Sequence, residues 1–240
     1  MKKIIKKAIR IALTPFVLSQ YFQFKRLNPD KRFPIRFSDF HPQLRDRTVK
    51  TGFDRHYIYH TAWAARKVAA IKPDFHIDIS SLLYFSGIVS AFVPVKFYDY
   101  RPAEVTLPGL ESAHADLLSL PFDNTSVQSL SCMHTVEHVG LGRYGDKMDP
   151  DGDLKAISEL KRVLAVGGSL LFVVPVGQPR IEFNAHRIYS YEQVMEYFAG
   201  LELAEFMLIP EKSGSPIYGA TAEQVAAEKY ACGCFWFKKI

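Results

Sequence analysis

From Asp54 onward the chain alternates between stretches of helical period and stretches of strand period, and that alternation predicts most of its elements. Asp54 stands where an N-cap belongs, ahead of a helix running through Val68 with Tyr57, His60, Ala64, Ala65 and Val68 on one side. Lys72-Pro73-Asp74 breaks that helix, and residues 75–79 read as a short strand. Residues 81–91 are helical in pattern, residues 95–99 form a second strand, 112–116 a weaker third and 127–133 a fourth. Asp153 is the expected N-cap of a helix reaching residue 164, with Ile157, Leu160, Val163 and Leu164 facing inward. Gly167-Gly168 is expected to end this helix, and the apolar run 169–175 reads as a strand buried on both faces. A further helix over 191–198 stops at Gly200, and 203–209 and 234–237 are two last strands. Strands alternating with helices imply an α/β fold, a doubly wound and mostly parallel sheet with helices on both sides. The two final strands, which have no strong helix pattern, fit an antiparallel edge hairpin.

The first 53 residues are different. Residues 27–53 are rich in Pro, Arg and aromatic side chains without a clean period, so an irregular extension is expected ahead of a domain spanning 54–240. Before it, Ile4, Ile5, Ala8, Ile11 and Ala12 recur at helical spacing among Lys2, Lys3, Lys6, Lys7 and Arg10. A basic amphipathic helix of this kind suits an anionic membrane surface, through residues 1–24, and equally suits packing on the protein itself. The apolar stretch 11–22 is too short to span a bilayer and lacks a convincing cleavage site for a secretory signal.

Charge sharpens the division. Residues 1–50 hold 13 Lys/Arg and 3 Asp/Glu; the remaining 190 hold 17 and 22, so the net charge of +5 is +10 on the first segment and −5 on the rest. An acidic body argues against nucleic acid as a partner, because a polyanion needs a basic face on the domain. Three cysteines, Cys132, Cys232 and Cys234, are too few for a disulfide framework and suit a reducing cytosol, so a cytoplasmic protein, peripheral at the inner membrane, is the expectation. Cys232 and Cys234 read as same-face core residues of a strand, since no second Cys/His pair lies at finger spacing. The acidic run 149–153 fails as a calcium loop: the register that puts Gly152 sixth puts Lys147 first and Ser158 twelfth, where carboxylates are required. No metal is predicted.

Several segments together resemble class I S-adenosylmethionine-dependent methyltransferases, over roughly residues 54–240. FHIDISS from Phe75 is similar to the first strand and its turn, and VKFYDYRP from Val95 to the second strand with an acidic end. Ala115-Asp116-Leu117 followed by Leu120-Pro121-Phe122 resembles the adenine-contacting loop, SLSCMHTVEHV the fourth strand and its catalytic turn, and ELKRVLAVGGSLLFVVPVG the helix, Gly-Gly turn and fifth strand. GRYGDKMDPDGDLKAISELKRVL and FNAHRIYS further resemble a DUF268-like family of unknown function.

The resemblance implies a Rossmann-like sheet and S-adenosylmethionine as cofactor, bound beyond the carboxyl ends of the strands. Asp99 would hold the ribose hydroxyls, Asp116 the adenine amino group with the Leu117 N–H beside it, and Asp78 would be the cofactor pocket's acidic group at the end of the first strand. Ser80, Ser81 and Gly87 would line the turn that approaches the methionine part. That turn is the largest departure from the pattern, because Ser-Ser-Leu-Leu stands where glycines are usual and only Gly87 remains. His134, Glu137 and His138 would lie at the mouth, an imidazole serving as base and Glu137 orienting it. Arg143, Tyr144, Asp146, Asn184, His186 and Arg187 would form the acceptor wall, suited to an anionic or hydroxyl-rich molecule.

Methyl transfer to oxygen or nitrogen of a small-molecule or glycan-type acceptor is the leading expectation. The alternative is a methyltransferase-like domain that has lost the cofactor and serves as a binding or scaffolding module. A nicotinamide enzyme is the weakest option, since no G-x-G-x-x-G follows the first strand.

Overall fold

The computed structural model describes residues 2–27, 33–44, 46–80 and 82–240, with side chains from Thr14 onward. It divides into two units, residues 1–53 and 54–240. In the first, helix α1 (Lys2–Arg26) carries Tyr21, whose ring meets Phe37 and Phe40 edge-on at 5.9 and 5.5 Å, so the irregular segment packs on the helix through aromatic rings. No described helix is long and apolar enough to cross a membrane. The side chains of the basic stripe from Lys2 to Ala12 lie outside the described residues.

The second unit is an eight-stranded sheet in the order β3-β2-β1-β4-β5-β10-β8-β9. Strands β1 (His76–Ile79), β2 (Val95–Asp99), β3 (Leu110–His114), β4 (Val127–Met133) and β5 (Leu164–Val176) are mutually parallel. Helix α2 (Arg55–Ile71) is capped as its sequence predicts: the Asp54 carboxylate accepts from Tyr57 N at 3.2 Å, and Lys72 ends the helix in the left-handed region at φ 52°. Its inward face is His56, His60, Trp63, Ala64 and Val68, with Tyr57 at the margin. With α3 (Leu83–Val89) it covers one face of the sheet; α4 (Gly152–Val163), α5 (Tyr191–Tyr197) and α6 (Ala222–Ala226) cover the other.

Several details differ from the sequence expectation. The third strand starts two residues early, at Leu110. Helix α4 takes Asp151 as N-cap, and Asp153 lies inside its first turn, buried against Tyr189 and Arg187, so its carboxylate serves the core and not the cap. Gly167-Gly168 does not end the helix: β5 already pairs at Leu164, and the glycines form a bulge. Leu164 faces Val127 and Ser169 faces Ser129, five residues on one strand against two on the other. The final hairpin is not wholly at the edge either. Strand β10 (Ala231–Lys239) runs antiparallel between β5 and β8 (Leu201–Ile209), because its buried stretch 231–235 needs neighbours on both sides. A short hairpin, β6 (Arg180–Glu182) with β7 (His186–Ile188), and β9 (Ile217–Tyr218) complete the fold.

Candidate functional site

Between β1 and β4 the chain reverses its direction of travel across the sheet, and the carboxyl ends of β1 to β4 surround a cavity of about 510 Å³, a size suited to a small molecule. Ile79 ends β1 and Ser80 follows it, Tyr98 and Asp99 come from β2, and Tyr100 and Arg101 directly follow. Ala115 to Leu118 come from the loop after β3, and His134, Thr135 and His138 from the turn after β4.

Asp99 and Asp116 both line the cavity. Each commits one oxygen to its own turn: Arg101 N donates to Asp99 Oδ1 at 2.7 Å, and Leu118 N to Asp116 Oδ1 at 2.9 Å. The loop holding Asp116 and Leu117 is pinned from α4. Glu159 Oε2 accepts from Leu120 N at 2.8 Å, while the Arg162 guanidinium donates to Leu120 O, Phe122 O and Asn124 Oδ1 at 3.0, 2.8 and 2.8 Å. The Glu-Leu-Lys-Arg-Val motif therefore acts at a distance from its own helix, because its fork of donors sets the loop that closes one side of the cavity.

Asp78 does not reach the cavity. It is fully buried, and Ser80, Ser131 and Ser86 donate their hydroxyls to it, the first two at 2.6 and 2.5 Å. Burial pushes its carboxyl up, against the pull of the three hydroxyls. Ser131 also bonds His76 Nε2 at 2.9 Å, and Ser129 bonds His76 Nδ1 at 2.8 Å, so one buried polar chain ties β1, β4 and α3 together. Ser80, in the turn where the resemblance expects glycine, anchors that turn from below, with Ser86 of α3 bonded to the same carboxyl. Ser80 lines the cavity with its hydroxyl turned to Asp78, and Leu83 lines it too. Gly87 lies within α3 and is not part of the lining, and Ser81 lies outside the described residues.

The turn after β4 brings the three candidate catalytic residues together but gives them different surroundings. His134 sits in the left-handed region at φ 53°, unusual for a residue with a side chain. Its Nδ1 meets Glu137 Oε1 at 3.0 Å and its Nε2 meets Cys232 Sγ at 3.5 Å, so both nitrogens are engaged. Burial opposes its charge, yet the Cys232 sulfur and the Glu137 carboxylate raise it to about 10. Glu137 is buried and does not line the cavity; its Oε2 has no partner among the described residues. His138 lines the cavity; its Nδ1 lies 2.6 Å from Ala185 O and 3.2 Å from the Arg143 guanidinium, and its Nε2 lies 3.9 Å from Glu137 Oε1.

Of the expected acceptor wall, Tyr144 and Asp146 line the cavity. Asp146 organises the loop by accepting from Gly140 N, Gly142 N and Tyr144 N at 2.9, 3.3 and 3.1 Å. The Arg101 and Arg143 guanidinium carbons lie 4.7 and 5.1 Å from the Tyr144 ring centre. Arg143 itself bonds Ala185 O at 2.9 Å and stands behind the lining. Asn184 and His186 are on or beside the β6–β7 hairpin, away from the lining. Arg187 is buried and spent on structure: it donates to Val139 O and Pro150 O at 2.7 and 3.0 Å and pairs with Asp153 at 3.4 Å. Sequence reasoning passes over Tyr100, Arg101 and Lys147, which line the cavity. The first two are signalled by their place just after a strand-end carboxylate.

Residues 122–228 match the family described as "Caenorhabditis protein of unknown function, DUF268". No curated protein matches the chain by sequence. Three solved structures illustrate the likeness in fold. A candidate methyltransferase from Bacillus halodurans is 15% identical, covers 75% of this chain and 98% of its own, and has a TM-score of 0.52. Geranyl diphosphate methyltransferase in complex with SAM is 13% identical over 75% of this chain and 85% of its own, TM-score 0.53. The [4+2]-cyclase SpnF is 15% identical over 81% and 85%, TM-score 0.55. The chain thus has the Rossmann-like fold of class I S-adenosylmethionine-dependent methyltransferases. The cyclase among its neighbours illustrates that a fold does not name a reaction.

Proposed function

We propose that this protein transfers a methyl group from S-adenosylmethionine to a hydroxyl or amine of a small, anionic or glycan-type acceptor. The observation that carries the reading is the pair Asp99 and Asp116 on the wall of one cavity at the sheet's switch point. The donor set fits the cofactor's nucleoside end: two carboxylates, each with one oxygen committed to its own turn, beside the apolar Leu117 and Leu118. Asp99 would accept from the ribose hydroxyls and Asp116 from the adenine amino group. When bound, the cofactor supplies an electrophilic methyl group. The protein's own part is to orient the acceptor and to take its proton.

His138 is the favoured base, because its ring lines the cavity and is held through Nδ1 beside Ala185 O. His134 is the poorer candidate, since both of its nitrogens are occupied. Arg101 and Lys147 on the lining suit an acceptor that carries phosphate or carboxylate. Ser80 and Leu83 face the cavity where glycines usually allow close approach, and they support the alternative of a fold that no longer holds the cofactor. Variants separate the two. Asp99→Ala with the fold intact by circular dichroism should lose roughly 10- to 100-fold in affinity for the cofactor, the worth of hydrogen bonds to a charged group. Binding unchanged in Asp99→Ala and Asp116→Ala alike would remove the proposed nucleoside site.

A further inference from the structure

Five of the eight histidines, His56, His60, His134, His138 and His186, lie in one chain of ring contacts joined through Tyr230, and the transfer chemistry calls on only one of them. Two of the others meet a cysteine. His60 on α2, His134 after β4 and Cys232 on β10 are all buried, and one nitrogen or sulfur from each lies within 4.8 Å of the rest.

We propose that His60, His134 and Cys232 bind a zinc-class divalent ion, clamping α2 to the β4 and β10 ends of the sheet beside the cavity. One ligand-to-ligand spacing matches a coordination shell. With Zn–N of about 2.05 Å and Zn–S of about 2.3 Å, a tetrahedral nitrogen–sulfur edge is about 3.6 Å; His134 Nε2 and Cys232 Sγ are 3.5 Å apart. Both imidazoles are held from behind in the way metal-ligating histidines are. His60 Nδ1 bonds the backbone oxygen of His56 at 2.7 Å, and His134 Nδ1 bonds the Glu137 carboxylate at 3.0 Å, so each presents Nε2.

Two further observations agree. His134 keeps a left-handed backbone, a conformation that the surrounding structure must hold in place. Glu137 Oε2 is buried beside the cluster and has no hydrogen-bond partner among the described residues. Cys232 is a buried thiol; on binding, the ion would displace the thiol proton and any proton on His134 Nε2 to solvent, taking up a thiolate and a neutral imidazole. Nitrogen and sulfur donors select zinc over calcium or magnesium. The three ligands come from segments far apart in the chain, which is why no finger spacing marks them.

The test uses the full-length protein. It is stripped with a chelator and titrated with cobalt(II), then with zinc that is followed by X-ray absorption. The expected result is one equivalent per chain, intense tetrahedral cobalt bands with a thiolate charge-transfer band, and a zinc shell of nitrogen at about 2.0–2.1 Å with sulfur at about 2.3 Å. His60→Ala, folded by circular dichroism, should lose the stoichiometric uptake. A folded wild-type protein that takes up no cobalt, or binds it without a sulfur ligand, overturns the proposal. So does undiminished uptake by His60→Ala. None of these outcomes bears on cofactor binding through Asp99 and Asp116.

Discussion

At the scale of single residues, burial decides roles that residue type leaves open. Asp78 and Asp99 both end strands and both carry carboxyls, yet Asp78 is enclosed by three serines and Asp99 lines the cavity. His76 shows the same logic for a base. Burial lowers it to about 3, and two serine hydroxyls satisfy its ring nitrogens. Because its folded value lies below its unfolded 6.5, the unfolded chain binds the extra proton, and stability falls as pH drops from 6.5 toward 4. His56, lowered to about 4 by burial, acts in the same direction. His134, raised, gives stability that is already full below 6.5 and is lost only as pH rises toward 10, so it does not offset the fall. Asp78, raised by burial, works against the fall near its own range. Denaturant melts at pH 7 and pH 4 should therefore show a smaller acid loss in His76→Asn than in wild type, by up to about 3 kcal/mol. Equal losses in the two proteins would contradict this role of His76.

At the scale of elements, the site depends on loops that are held from elsewhere in the fold. The segment after β4 is pinned by Arg187, whose guanidinium spans Val139 O and Pro150 O, and by Gly140, where an added Cβ would stand 2.1 Å from Asp149 O. Arg187→Met should leave Asp153 as a buried unpaired carboxylate and cost about 3–5 kcal/mol in denaturant melts. It should also weaken any ligand of the Tyr144–Asp146 wall; a variant as stable as wild type would show that the strut is dispensable. Sequence periodicity reads β2 and β4 to the residue and the Asp54 cap correctly, since those depend on local pattern and capping chemistry. It misplaces Asp153 and Gly167-Gly168 because their partners, Tyr189 with Arg187 and the neighbouring β4, are distant in sequence. Arg187 reads in sequence as an acceptor clamp for the same reason. Asp99, Asp116 and His138 are legible because a strand's carboxyl end in a parallel sheet is a place that the pattern itself marks. His60 is legible only as one side of a helix; its neighbours His134 and Cys232 are brought by the fold.

At the scale of the whole molecule, charge and chemistry are divided between the two units. Residues 1–50 carry a net +10 and the remaining 190 a net −5, so attraction to an anionic surface would act through the first segment. If that segment is the anchor, the full chain should float with vesicles containing anionic lipid and sink when residues 1–24 are removed, with the difference shrinking in high salt. Unchanged flotation of the truncated protein would reject it. The proposed chemistry lies in the second unit, where four strand ends converge on a cavity and Ser80, where the resemblance expects glycine, is bonded to Asp78. Whether that cavity still takes the cofactor is the central question, and calorimetry on the full-length protein answers it most directly. Titration with S-adenosylmethionine, and separately with its demethylated product, should give saturable heat at one site per chain for each. No binding of either at millimolar concentration, in a protein that remains folded, would contradict the account.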